Sequence, residues 1–185
     1  MIGYLIAICL LLVFVYVIFL YNSIIRSKNE TENALGSVDA TLKKRYDLIP
    51  NLVEVVKQYM TYESNLLSEI TRLRASIKDD MNFDSKLEVY KNINKELSSI
   101  MLNVENYPEL KANKNFINLQ ASWNEIEEQI LAARRFYNTS VTDYNNSIQT
   151  FPANVLTNIF GFQPMKVMEF DEVVKQNPTA KELFK

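Results

Sequence analysis

The stretch that decides the fold is Leu119-Gln-Ala-Ser-Trp-Asn-Glu-Ile-Glu-Glu-Gln-Ile-Leu-Ala-Ala-Arg-Arg-Phe-Tyr-Asn-Thr-Ser-Val-Thr-Asp-Tyr144. Leu119, Trp123, Ile126, Ile130, Ala133, Tyr137, Ser140 and Tyr144 recur in it at three- and four-residue steps, one face of an amphipathic helix. Two more stripes of the same period precede it. One runs Leu52, Val56, Tyr59, Glu63, Leu66, Ile70, Leu73 and Ile77, the other Leu87, Tyr90, Asn94, Leu97, Met101 and Val104. Leu35, Val38 and Leu42 make a shorter fourth. Runs of alternating polarity are absent, and past the N-terminal segment the only glycines are Gly36 and Gly161, too little punctuation for strands joined by tight turns. These features predict an all-α fold.

The chain has 185 residues, and Ile2–Tyr21 is apolar at every position except Gly3, with no charge before Arg26. Twenty helical residues, at about 1.5 Å each, match a hydrocarbon core of about 30 Å. A cleaved signal peptide would need a basic start, a shorter apolar core and a small-residue cleavage site, none of which is present. Nor does bulky Ile8 before Cys9 suit a lipoprotein signal. Residues 2–22 are therefore expected to contact membrane lipid as a permanent single-pass anchor. Arg26 and Lys28 follow the span and no basic residue precedes it, so the positive-inside bias places the C-terminal domain in the cytoplasm and the N-terminus outside.

The predicted breaks follow backbone chemistry. Pro50 disfavours helical geometry at Ile49 and is tolerated in a first helical turn, with Asp47 as the expected cap. Lys78 to Asn82 reads as a polar turn with Asp84 or Ser85 as the next cap, Asn103 to Asn113 is the third connection, and Phe151-Pro152 ends the last long helix. Short connections imply antiparallel neighbours. The expected fold is an up-and-down antiparallel four-helix bundle whose first helix is continuous with the transmembrane helix. Pro50 as a mere kink, giving three long rods, is the alternative. The expected domains are an anchor over 1–22, a cytoplasmic bundle over 23–152 and a tail over 153–185, with a short helix and an irregular segment packing on the bundle or the membrane surface. The apolar, uncharged Val155–Phe162 reads as a lid on the open end of the bundle or as an interfacial foot.

Composition excludes most chemistry. Histidine is absent, Cys9 is the single cysteine, and the net charge is −2. Disulfides, zinc fingers, Cys/His catalysis and iron–sulfur clusters are thereby excluded, and a di-metal bundle site lacks its Glu-x-x-His pairs. Charge balance argues against a nucleic-acid binder. No Gly-rich phosphate loop is present. Glu125, Glu127 and Glu128 read as a solvated face, and Lys43-Lys44-Arg45 as compensation of a helix C-terminal dipole. We expect no catalytic residues, no metal and no cofactor. Glu63 stands at a stripe position and so needs a partner, with Arg72, Arg74, Arg134 and Arg135 as candidates. Asn94 and Ser140 interrupt their stripes more mildly and are expected to fix helix register.

Two stretches, Asp39-Ala-Thr-Leu-Lys-Lys-Arg-Tyr-Asp-Leu-Ile-Pro-Asn-Leu-Val-Glu-Val-Val-Lys57 continuing to Tyr62-Glu63, and Arg134-Arg-Phe-Tyr-Asn-Thr-Ser-Val-Thr-Asp-Tyr-Asn-Asn-Ser-Ile-Gln-Thr-Phe-Pro152, closely resemble the LemA family. Tyr21-Asn22 and the Arg74 region are similar too. The resemblance covers the chain from the anchor to about Phe170. It implies a bacterial inner-membrane protein, single-pass, with a short outside N-terminus, a cytoplasmic four-helix bundle and no established enzymatic activity. Family-motif positions, structural or docking, are Arg45, Tyr46, Asp47, Leu48, Ile49, Pro50, Asn51, Glu63, Arg74, Arg134, Arg135, Phe136, Tyr137, Asn138, Tyr144 and Asn145. The first group should build a membrane-distal hairpin, with Leu48 and Ile49 packing inward. From the second, Phe136, Tyr137, Val141, Tyr144 and Ile148 should face the core, while Asn138, Asn145 and the tyrosine hydroxyls satisfy backbone groups at helix ends. Exposed aromatic or arginine residues there would favour a docking surface. The expected function is a non-catalytic scaffold or interaction module bound to an unknown protein partner. Self-association that organises the membrane is the alternative, and an enzyme built on carboxylates and tyrosines around Glu63 is a remote one.

Overall fold

The computed structural model describes residues 1–78 and 80–169, so the tail beyond Glu169 lies outside the described residues. Among these there are seven α-helices and no strand: α1 (Ile2–Tyr46), α2 (Ile49–Lys57), α3 (Ser64–Ser76), α4 (Phe83–Val104), α5 (Pro108–Lys111), α6 (Lys114–Gln149) and α7 (Ala153–Phe160). Among the described residues one helix is long and apolar enough to cross a membrane, and it is the N-terminal one. As expected, α1 carries on without a break from the apolar run to Tyr46, closing on Lys43, Lys44 and Arg45 in its last turn. Its first twenty residues expose their apolar side chains, Leu5, Leu10 and Phe14 among them, as a lipid-facing helix does.

Two compact units divide the chain: Met1–Leu35 with the segment from Arg134 onward, and Gly36–Ala133. In the second unit the helices pack α2 on α3, α3 on α4 and α4 on α5. Its core holds Val38, Leu42, Leu52, Val56, Ile70, Ile93, Ile100 and Leu110, all buried. In the first unit Ile24, Tyr144, Ile148 and Ala153 form a buried cluster, with Phe162 and Met165 packed against it. Thr31 and Ser140 are buried together there, the Thr31 hydroxyl lying 3.0 Å from the Ser27 carbonyl and 3.1 Å from that of Ser140.

The Leu52–Ile77 stripe, expected as one helix, is two. Gln58–Glu63 interrupts it, and the chain folds back there rather than at Pro50. Arg74 on α3 donates to the Tyr46 carbonyl and the Asp47 carboxylate, each at 3.3 Å. With residue 74 beside residues 46 and 47, the reversal falls midway, near residue 60. Asp47 and Leu48 only interrupt the helix: Leu48 keeps right-handed helical dihedrals, and Pro50 occupies the first turn of α2. The turn at 58–63 holds neither glycine nor proline, and Leu52 and Val56 before it, Met60 within it and Leu67 and Ile70 after it keep helical step. Periodicity therefore carried no sign of the break. Glu63, out of place in a continuous stripe, is the residue just before α3.

Caps also moved. Asp47 makes no cap, and α2 has no side-chain cap bond. Asn82 caps α4 by accepting from the Ser85 amide at 2.8 Å, where Asp84 or Ser85 was expected. Asn113 does the same for α6, its Oδ1 accepting from the amides of Asn115 at 2.8 Å and Phe116 at 3.3 Å. Gly161, at φ +72°, ends α7 in the left-handed conformation, and the Phe162 amide reaches back to the Thr157 carbonyl.

Candidate functional site

The first motif group assembles at the end of α1. Arg45 and Tyr46 are both buried in the last turn of that helix. Arg45 lays its guanidinium over the Trp123 ring of α6, 5.1 Å from the centroid, and pairs with Glu127 at 3.2 Å. Tyr46 stacks on Tyr90 of α4, centroids 4.4 Å apart and planes 12° off parallel. Asp39, two turns earlier, accepts from Lys86 at 2.9 Å and the Tyr90 hydroxyl at 3.2 Å. Burial pushes the Tyr46 phenol well above its ordinary pKa, with the nearby Arg45 charge opposing. Its oxygen has no hydrogen-bond partner among the described residues. A cavity of about 500 Å³ opens beside these groups, lined by Asp39, Lys43, Tyr46, Asp47, Arg74, Lys86 and Tyr90 among others. Two cations of that lining are paired, Lys86 with Asp39 at 2.9 Å and Arg74 with Asp47 at 3.3 Å. Leu48 is half-buried and Ile49 fully buried, as expected, whereas Pro50 and Asn51 are exposed.

Glu63 takes a partner other than the arginines expected for it. The Tyr107 hydroxyl lies 3.0 Å from one carboxylate oxygen and 2.9 Å from the other. That acceptor holds the Tyr107 phenol above its ordinary pKa. Arg72 instead forks onto Glu69, at 2.6 and 2.8 Å. A neighbouring bond, Asn113 to the Tyr59 hydroxyl at 2.9 Å, ties the same turn to the start of α6. Of this pair only Glu63 is among the family-motif positions; Tyr107 lies 44 residues away in the third connection, with no local signal that links it to Glu63. A groove of about 740 Å³ runs between α2 and α3, and its lining does not include Glu63.

The second motif group forms a ladder along α6 that grips an extended segment of the chain's own backbone. Asn138 accepts from the Met168 amide at 2.8 Å and donates to its carbonyl at 2.9 Å. Asn145 repeats the pair on Met165, at 2.9 Å each. Tyr137 and Tyr144 donate to the carbonyls of Lys166 at 3.2 Å and Gln163 at 3.1 Å, and Arg134 to that of Glu169. These residues recur at helical steps, so one face of α6 bonds the main chain of five residues in the stretch 163–169. The amides were expected at helix ends; their target is this strap. Tyr137, Val141, Tyr144 and Ile148 are buried as expected. Phe136 is the correction: it is 50% exposed, because it lies one position off the buried face defined by Tyr137 and Tyr144.

No group of three or more potential metal-ligating residues is gathered among the described residues. The motif positions thus fall into an α1-end cluster, the Glu63–Tyr107 pair and the α6 ladder.

Comparison with known proteins adds a family. The LemA family profile matches residues 34–181. Its reach past Phe170 takes in much of a tail in which the motifs alone showed no resemblance. Protein LemA of Metamycoplasma hominis is 26% identical over 163 residues, covering 88% of this chain and 74% of that protein. Magnetosome proteins MamQ 1 and MamQ 2 of Paramagnetospirillum magneticum are each 21% identical over 169 residues, covering 77% of this chain and 62% of their own length.

Proposed function

Because the chain belongs to the LemA family, we propose that it is a membrane-anchored, non-catalytic scaffold or interaction module. In this reading the helical part lies at the cytoplasmic face of a bacterial inner membrane, on the side marked by Arg26 and Lys28. The supporting architecture is an up-and-down four-helix bundle with arms α1–α2, α3, α4 and α6, its first reversal at residues 58–63. The observation that carries the reading is the destination of the charged and aromatic motif residues. Arg45, Tyr46, Arg74, Tyr137, Asn138, Tyr144 and Asn145 bind neighbouring helices or the chain's own backbone. Such bracing makes a rigid platform. Phe136, exposed beside Arg135, is the residue of the second motif best suited to dock a partner.

A second reading, self-association that organises the membrane, draws on the two relatives named as magnetosome proteins. Both readings are tested by crosslinking the full-length protein in intact cells, followed by mass spectrometry. A scaffold gives crosslinks to a different protein that Phe136→Ala weakens while helical content is kept. A self-assembler gives crosslinks to a second copy. Capture of neither, or turnover of a substrate by the purified protein that Glu63→Gln or Tyr107→Phe abolishes, overturns the non-catalytic interaction reading.

A further inference from the structure

We infer that α7 is a second membrane contact: an interfacial helix that lays one apolar edge into the lipid beside the transmembrane span. The inference concerns how the protein meets the bilayer and does not depend on the scaffold reading.

Position comes first. Ala153, the first residue of α7, packs with Ile24 of α1 in the buried cluster of this unit. At its other end, the Phe160 ring meets Tyr21 edge-on with centroids 5.1 Å apart, and Phe162 lies 5.9 Å from the same tyrosine. Tyr21 is the last residue of the apolar run. The two ends of α7 therefore lie beside residues 24 and 21 of α1, levels about 4.5 Å apart along that axis, which is short against the roughly 12 Å length of α7 and sets it across α1 more than along it. Those levels are the depth at which aromatic rings collect at membrane–water boundaries.

Surface chemistry agrees. The inner edge of α7 is spent on the protein, Ala153 and Thr157 being buried and the Thr157 hydroxyl lying 3.1 Å from the Ile148 carbonyl. The outer edge is bare: Val155 is 54% exposed and Ile159, one turn on, 72%, with Phe160 at 50% beside it and Phe151, just before the helix, at 83%. No charged residue occurs between Asp143 and Lys166. A water-facing helix ordinarily carries charge on its outer side. An edge of Phe, Val and Ile continuous with the end of a lipid-facing span has the lipid itself as its partner. Amphipathic helices of this kind sink about 5–10 Å into the headgroup and acyl boundary. The strap holds the helix at that depth, since Asn145 and Tyr144 clamp the backbone just past its end.

The test uses the full chain in vesicles of phosphatidylethanolamine and phosphatidylglycerol. A single environment-sensitive fluorophore is placed at Ile159→Cys in a Cys9→Ser background, with Val155→Cys as a second site should the first disturb folding. Thr139→Cys, beside the Thr31–Ser140 contact, is the control about 15 Å further along α1 from Tyr21. The expected result is blue-shifted emission at residues 159 and 155, cut roughly twofold by lipids carrying a spin label in the upper acyl chain, with water-like and unquenched emission at residue 139. Water-like, unquenched emission at 159 and 155 overturns the inference by showing an exposed lid. Blue-shifted emission that spin-labelled lipid does not quench overturns it by showing that protein covers the edge. Either failure leaves the crosslinking test of the scaffold reading untouched.

Discussion

Tyr46 shows how much a single position can hide. Its ring is buried and stacked on Tyr90, yet its hydroxyl finds no hydrogen-bond partner among the described residues. Tyr46→Phe keeps the stack and removes a desolvated polar group, so stability at neutral pH should stay within about 1 kcal/mol of wild type or rise, as read by urea denaturation. The folded-state phenol titrates above its unfolded value. Its stabilising contribution is complete below about pH 10 and is lost as pH rises through the folded-state value, so Tyr46→Phe should lose stability less steeply in alkali. A steeper loss in the variant would contradict this account. Arg45 is the opposite case, a buried cation with both a ring and a carboxylate. Arg45→Ala should cost about 2–4 kcal/mol by thermal or urea unfolding, and Arg45→Lys should recover only part of it, because an ammonium lacks the planar face that stacks on Trp123.

Helix propensity and periodicity set the elements, but their ends depended on contacts from elsewhere. Stripes over α4 and α6 were legible because the same buried face returns every two turns of each helix: Tyr90, Leu97 and Val104 in one, Trp123, Ile130 and Tyr137 in the other. Between α2 and α3 the stripe stayed in phase across a turn, so nothing local announced the fold-back. Asn138 and Asn145 were recognisable as motif residues, whereas their bonding partners lie 30 and 20 residues away respectively. Asn138→Ala or Asn145→Ala should each free one residue of the strap. Amide hydrogen exchange at Met168 or Met165 respectively should then quicken roughly tenfold, matching about 1.4 kcal/mol of lost local protection. Unchanged exchange would mean that the ladder does not hold the strap.

For the molecule as a whole, the apolar run and the helical remainder have separate physical jobs. Deleting residues 2–22 should move the protein from the membrane fraction to the soluble one while far-UV circular dichroism still reports a helical chain. Continued sedimentation with membranes would show that other surfaces, α7 foremost, suffice for attachment. Loss of helicity would show that the span is needed for folding. Wild-type protein should resist carbonate extraction, since about 20 buried apolar residues are not released by raising pH.

The sequence by itself determined the all-helical class, a helix long and apolar enough to cross a membrane and its continuation toward Asp47, because helical periodicity and apolar run length are local properties of the chain. It also marked the residues that matter, through the LemA-like motifs. Tertiary structure alone decided what those residues touch: Tyr107 on Glu63, the Met165 and Met168 backbone on the two asparagines, and Tyr21 against the end of α7. The reason is sequence distance. A pairing between residues tens or more than a hundred positions apart depends on how helices of nearly equal amphipathicity choose their neighbours, and that choice is made by side-chain fit across the whole assembly.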